Sequence, residues 1–98
     1  MYRNMVDEIK IIASILAKEN RADVITDFML EILTESEAET LSKRWQILEL
    51  LKEGRTQRAI AKELQVSLCK VTRGSQILKN PKSVIAEYLT KEKNNERK

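Results

Sequence analysis

Gly54, Gly74 and Pro81 are the only glycines and the only proline in 98 residues. A chain with so few helix breakers, and so rich in Leu, Ile, Glu and Lys, is restricted to helices joined by short turns. The expected class is all-α. Its length fits a single domain spanning 1–98, near the small end of what can bury its own core. The longest apolar stretch, Ile11 to Ala17, already contains Ser14. That is far short of the roughly 20 apolar residues of a membrane span, and nothing before it resembles a cleavable signal. The lone Cys69 excludes an intrachain disulfide and fits a reducing compartment, so a cytoplasmic protein is expected.

Periodicity and capping residues mark six short helices. Val6, Ile9, Ile12 and Leu16 repeat at helical spacing over residues 4–19, and Val24, Ile25, Phe28, Met29, Ile32 and Leu33 form a second apolar face. Thr34-Glu35-Ser36-Glu37 is a capping box opening a third helix, whose stripe carries Ala38, Leu41, Trp45 and Leu48, broadened by Ile47 and Leu51. Trp45, on that stripe, reads as core or dimer packing. Gly54 ends this helix. Thr56 caps a fourth helix from Gln57 to Leu64, and Ser67 a fifth from Leu68 to about Leu78. Pro81 is expected to begin a sixth carrying Val84, Ile85, Tyr88 and Leu89. The apolar-free tail, residues 91–98, is expected to fray. Two leading amphipathic helices in so small a chain suggest an intertwined homodimer, with an ordinary monomeric bundle as the alternative.

Residues 57–78 fit a helix-turn-helix. Ala61 supplies the small residue where two helices cross. Ile60, Leu64, Val66 and Val71 supply the apolar lock, and Gln65-Val66-Ser67 the turn. Glycine is common at the position of Gln65, which must therefore accept a left-handed backbone or an altered turn. Gln57 and Arg58 stand at a helix N-terminus, where free N–H groups attract phosphate. Leu68, Cys69, Thr72 and Gln76 are expected to point outward from the second helix, with Lys70 and Lys79 flanking.

Charge runs the same way. Residues 1–42 carry a net of −5, residues 43–82 a net of +7 and the tail +1. A basic block suggests a polyanionic partner, although the charges alone fit a solvated surface equally well. Gly74, inside a helix directly after Arg73, costs about 1 kcal/mol relative to alanine. One reason to accept that cost is a flat ligand lying on bare backbone. A bulky residue there is then expected to block the ligand while leaving the fold largely intact. There is no His, no catalytic or metal-ligand cluster and no Gly-rich phosphate loop, so an enzyme is not expected.

The run Val71-Thr72-Arg73-Gly74-Ser75-Gln76-Ile77-Leu78-Lys79 closely resembles the I-T-R-G-S-N-x-L-K recognition segment of the tryptophan operon repressor family. Thr56-Gln57-Arg58, Lys62-Glu63-Leu64, Leu33-Thr34 and Leu41 to Arg44 resemble its flanking parts. The resemblance implies an interlocked homodimer that binds double-stranded operator DNA when L-tryptophan is present as co-repressor, controlling genes of tryptophan biosynthesis or uptake. It implies that Arg73 pairs with the ligand carboxylate, Arg44 covers a face of the indole ring and Gly74 backs it. Thr34 and the carbonyls near Glu31 and Leu33 of the other subunit would receive the ammonium. Guanidinium forks suit carboxylates and π-faces, and a helix C-terminus suits a cation. The DNA contacts implied are Gln57, Arg58, Ser67, Leu68, Cys69, Lys70, Thr72, Ser75, Gln76 and Lys79. A ligand beneath each helix pair would set the two recognition helices about 34 Å apart, a spacing common to dimeric helix-turn-helix proteins, this family included.

This chain departs from the family in several places. Ile77 stands where other members have a serine that also contacts the ammonium, and Ala61 replaces a lysine used on DNA. Cys69 and Lys70 replace small residues, and the segment between Arg44 and Thr56 is one residue shorter. A related regulator answering to another small ligand, or to none, is the alternative reading.

Overall fold

The computed structural model describes residues 3–96, and side chains from Arg3 to Lys91. Among the described residues the protein is all-helical, with six helices. They divide between two compact units that meet in sequence at Ala38 and Glu39.

The first unit holds α1 (Met5–Leu16), α2 (Ala22–Ile32) and the start of α3 (Glu35–Lys52). Asn4 opens α1 with a reciprocal box. Its Oδ1 accepts the Asp7 N–H at 2.8 Å, and Asp7 Oδ2 accepts the Asn4 N–H at 3.1 Å. The helix stops three residues before the expected Glu19. There the chain tightens, the Lys18 N–H reaching Ile15 O and the Glu19 N–H reaching Leu16 O. Glu19 then turns its carboxylate to Arg21, 2.8 Å from Nε, and this guanidinium holds the Glu19 carboxyl below the usual carboxylate range. The predicted cap of α3 is present in full. The Thr34 N–H donates to Glu37 Oε1 at 2.8 Å, and Thr34 Oγ1 accepts the Glu37 N–H at 3.1 Å. No residue of α1 or α2 is buried. Met5, Val6, Ile9, Ile15, Leu30 and Ile32 are all exposed, and Ile15, Leu16, Val24, Ile25 and Phe28 line an open groove.

The second unit contains the rest of α3, then α4 (Gln57–Leu64), α5 (Leu68–Lys79) and α6 (Val84–Glu96). Its core is Ile47, Ile60, Leu64 and Val71, with Leu50, Leu51, Ala61 and Val66 packed around them. α3 runs 18 residues between the Thr34 cap and Gly54, the bounds its sequence sets. It closes at Gly54, whose φ of 94° lets the Arg55 N–H reach Leu50 O and the Gly54 N–H reach Leu51 O.

One expectation at the C-terminal end needs correction. Pro81 does not begin α6. Asn80 Oδ1 accepts the Lys82 N–H at 2.9 Å, which makes a side-chain-closed turn, and Ser83 caps the helix by accepting the Ala86 N–H at 3.0 Å. α6 runs to Glu96, and of the tail expected to fray residues 97–98 lie outside the described residues.

Candidate nucleic-acid interface

α4 and α5 are joined by a turn only three residues long. Thr56 caps α4 by accepting the Ala59 N–H at 3.2 Å, and Ser67 caps α5 by accepting the Lys70 N–H at 3.3 Å. Between them Gln65 adopts a left-handed backbone, φ 56° and ψ 48°. It is the one non-glycine residue with positive φ among those described, a conformation that costs an L-residue roughly 1–2 kcal/mol. The turn recovers part of that cost in hydrogen bonds: the Gln65 and Val66 N–H groups both converge on Ala61 O. Beneath the turn Ile60 and Val71 are fully buried, with Leu64 beside them and Val66 packed on, as the sequence pattern requires.

Two of the expected contact residues meet each other. Thr72 Oγ1 donates to Gln57 Oε1 at 2.9 Å, tying the first residue of α4 to the middle of α5. The hydroxyl proton of Thr72 is thereby engaged, and the Gln57 amide is left with its NH₂, a donor. Phosphate oxygens accept such donors, whereas bidentate pairing with adenine needs the oxygen as well. Arg58, Ser67, Cys69, Lys70, Gln76 and Lys79 are exposed, Leu68 is 46% exposed, and Ser75 is half-buried.

The ligand-site expectations divide. Arg44 and Arg73 are both exposed, and no ion pair among the described residues involves either. Arg44 shares its helical stripe with Ile47, Leu48 and Leu51, the residues of α3 that meet Gly74. Gly74 itself is buried, and its bare face is occupied. A β-carbon there would lie 2.8 Å from Ile47 Cγ2 and 3.2 Å from Leu51 Cδ1. A bulky residue at Gly74, expected to leave the fold largely intact, instead collides with α3, because the missing side chain allows two helices to approach closely. Glu31, Leu33 and Thr34 belong to the first unit, at the end of α2 and the cap of α3. Trp45, read as core or dimer packing, is 40% exposed in the single chain.

Two contacts escaped the sequence reading. Lys43 Nζ donates to Leu64 O, the last carbonyl of α4, at 3.1 Å, and Arg55 Nη2 pairs with Glu63 Oε2 at 3.0 Å. The first joins residues 21 positions apart, and nothing in local spacing announces it. The Gly74 contact did leave a trace, since Ile47 and Leu51 stand at i and i+4 on a helix that must cross α5.

The Trp repressor protein family matches residues 7–93 of the chain. A Trp operon repressor homolog of Chlamydia trachomatis serovar D is 34% identical over 80 residues, covering 81% of this chain and 85% of that protein. A Trp operon repressor homolog of serovar L2 is 32% identical over the same shares. No solved structure matches the chain.

Proposed function

Since this chain belongs to the Trp repressor protein family, whose members are transcription regulators and not enzymes, we propose that it is a cytoplasmic homodimeric repressor. It grips double-stranded operator DNA through α4 and α5 and takes L-tryptophan as co-repressor. One observation carries this reading. α4 and α5 are locked from below by Ile60, Leu64 and Val71 across a left-handed turn, while Arg58, Ser67, Leu68, Cys69, Lys70, Gln76 and Lys79 are exposed. Rigid backing and a short polar tip are what a helix needs to enter a major groove. Gln57, oriented by Thr72, gives its NH₂ to a phosphate oxygen. Ser75 and Lys79 lie further along α5.

In this reading L-tryptophan lodges between α3 and α5, its carboxylate on Arg73 and its ring under Arg44 with Gly74 behind. Its ammonium meets Thr34 and the carbonyls of Glu31 and Leu33 from the partner subunit. Ligand and DNA then favour the same arrangement, so each tightens the other by one factor. The apolar faces of α1 and α2 support the dimer, because Met5, Val6, Ile9 and Ile15 of α1 and Leu30 and Ile32 of α2 are exposed.

A second reading, a related regulator answering to another small ligand or to none, is favoured by one specific observation. Ile47 and Leu51 already fill the space beside Gly74. An indole ring reaches that backbone only if these side chains move.

Fluorescence anisotropy on a duplex selected from a randomised library separates the two. L-tryptophan tightens binding in the first reading and leaves it unchanged in the second, and calorimetry with duplex present must show the reciprocal gain. In both, binding weakens steeply with salt.

A further inference from the structure

The turn between α4 and α5 holds a conformation that its sequence opposes, and one residue outside the pair reaches in to hold it. Gln65 is left-handed without being glycine. Its N–H and the Leu64 carbonyl belong to one peptide unit, and rotation of that unit about the Gln65 N–Cα bond is what carries Gln65 out of the left-handed well. Both ends of the unit are engaged: the N–H donates to Ala61 O, and Leu64 O accepts from Lys43 Nζ at 3.1 Å in a partly buried contact. Leu64 O is the final carbonyl of α4, where the helix concentrates partial negative charge, so an ammonium is favoured there twice over. Lys43 projects from α3 and immediately precedes Arg44.

We propose that Lys43 is a positioning residue: its ammonium clamps the Leu64–Gln65 peptide unit from α3, stabilising the left-handed turn that aims α5. The reading-head part of this inference rests on the DNA-binding function proposed above, whereas the clamp itself does not. The clamp makes α3 a single link, with Lys43 gripping the turn and its neighbour Arg44 on the stripe that meets Gly74. The angle between α4 and α5 is thus set partly from outside the pair.

The test is a cycle of Lys43→Met and Gln65→Gly, read first by hydrogen exchange of the Gln65 amide in the free protein. Methionine keeps most of the apolar stem and removes the donor. Lys43→Met is expected to speed exchange about tenfold, as for loss of a charge-assisted hydrogen bond at a partly exposed site. In the Gln65→Gly background the same change is expected to cost less than about threefold, because glycine holds the turn without strain. Lys43→Arg, which retains a charged donor, restores slow exchange. Unchanged exchange in Lys43→Met, or equal penalties in both backgrounds, overturns the clamp.

Duplex binding is read second, on the library-selected duplex. Affinity falls in Lys43→Met and recovers in Lys43→Arg, while the salt slope stays that of the wild type. A slope reduced by about one phosphate contact would assign Lys43 to the DNA instead and overturn the positioning role. Wild-type protein that binds no duplex overturns the proposed function, and the exchange cycle still decides the clamp.

Discussion

The two halves of this molecule use the same apolar vocabulary to opposite effect. From Glu39 onward, Ile47, Ile60, Leu64 and Val71 close around one another, and Ile60 and Val71 lose all contact with solvent. Up to Ala38, α1 and α2 carry Ile, Leu, Val and Met at equally regular spacing and bury none of them. Ile60 is 0% exposed and Ile9 is 59% exposed. Periodicity therefore establishes that a helix has an apolar face, and says nothing of whether the cover lies in the same chain. One half is a finished core that backs the α4–α5 pair, and the other is a pair of helices whose apolar faces stay open.

The sharpest contrast comes from truncating the two isoleucines. Ile60→Ala leaves a cavity at a fully buried site and should cost about 2–5 kcal/mol in denaturant unfolding. Ile9→Ala in an isolated chain should cost under about 0.5 kcal/mol. In a dimer its penalty appears as a loss of stability that grows on dilution. A large, concentration-independent penalty at Ile9 would erase the distinction between the halves.

Gly74 tests the finished core from the other direction. Gly74→Ala adds a methyl against Ile47 Cγ2 and should cost about 1–3 kcal/mol despite alanine's better helix propensity. Ile47→Ala removes the obstructing atom, so the double mutant should lose less than the two single changes together. Strict additivity would mean that the two helices do not meet there.

On the exposed side of that core, Thr72→Val removes the hydroxyl that orients Gln57. Duplex affinity should fall about tenfold, with base preference unchanged and Thr72→Ser close to wild type. Altered base preference in a binding-site selection would make Thr72 a reader of bases rather than a positioning residue.

The smallest effect belongs to the boundary between the halves. The Thr34 backbone N–H, then its hydroxyl, holds the Glu37 carboxyl below the usual carboxylate range. A depressed folded value stabilises the protein above the ordinary carboxylate pKa, and that stabilisation is lost as pH falls through the folded value. The melting temperature of wild type over Glu37→Gln should therefore show a modest advantage at neutral pH that disappears in acid. An advantage persisting at low pH would contradict the cap.

Much of this was legible locally. Thr34 with Glu37, Gly54, Thr56 and Ser67 each carry their structural role within four or five residues, and the Ile60–Val71 lock follows from spacing alone. Pro81 misled because Asn80 closes a turn with its side chain and hands the cap to Ser83. Gly74 was read as room for a ligand because sequence shows that a side chain is missing and does not show what moves into its place. Lys43 was invisible because its partner is a backbone carbonyl, which every residue possesses.

Sedimentation equilibrium of the wild type beside Ile9→Glu tests most directly the proposed homodimer, in which the open apolar faces of the half ending at Ala38 pack against a second copy. The wild type should show twice the mass of one chain at micromolar concentration, and the glutamate variant should fall to the mass of one chain while keeping the helix content of the second half. A wild type that sediments as a single chain would contradict the account.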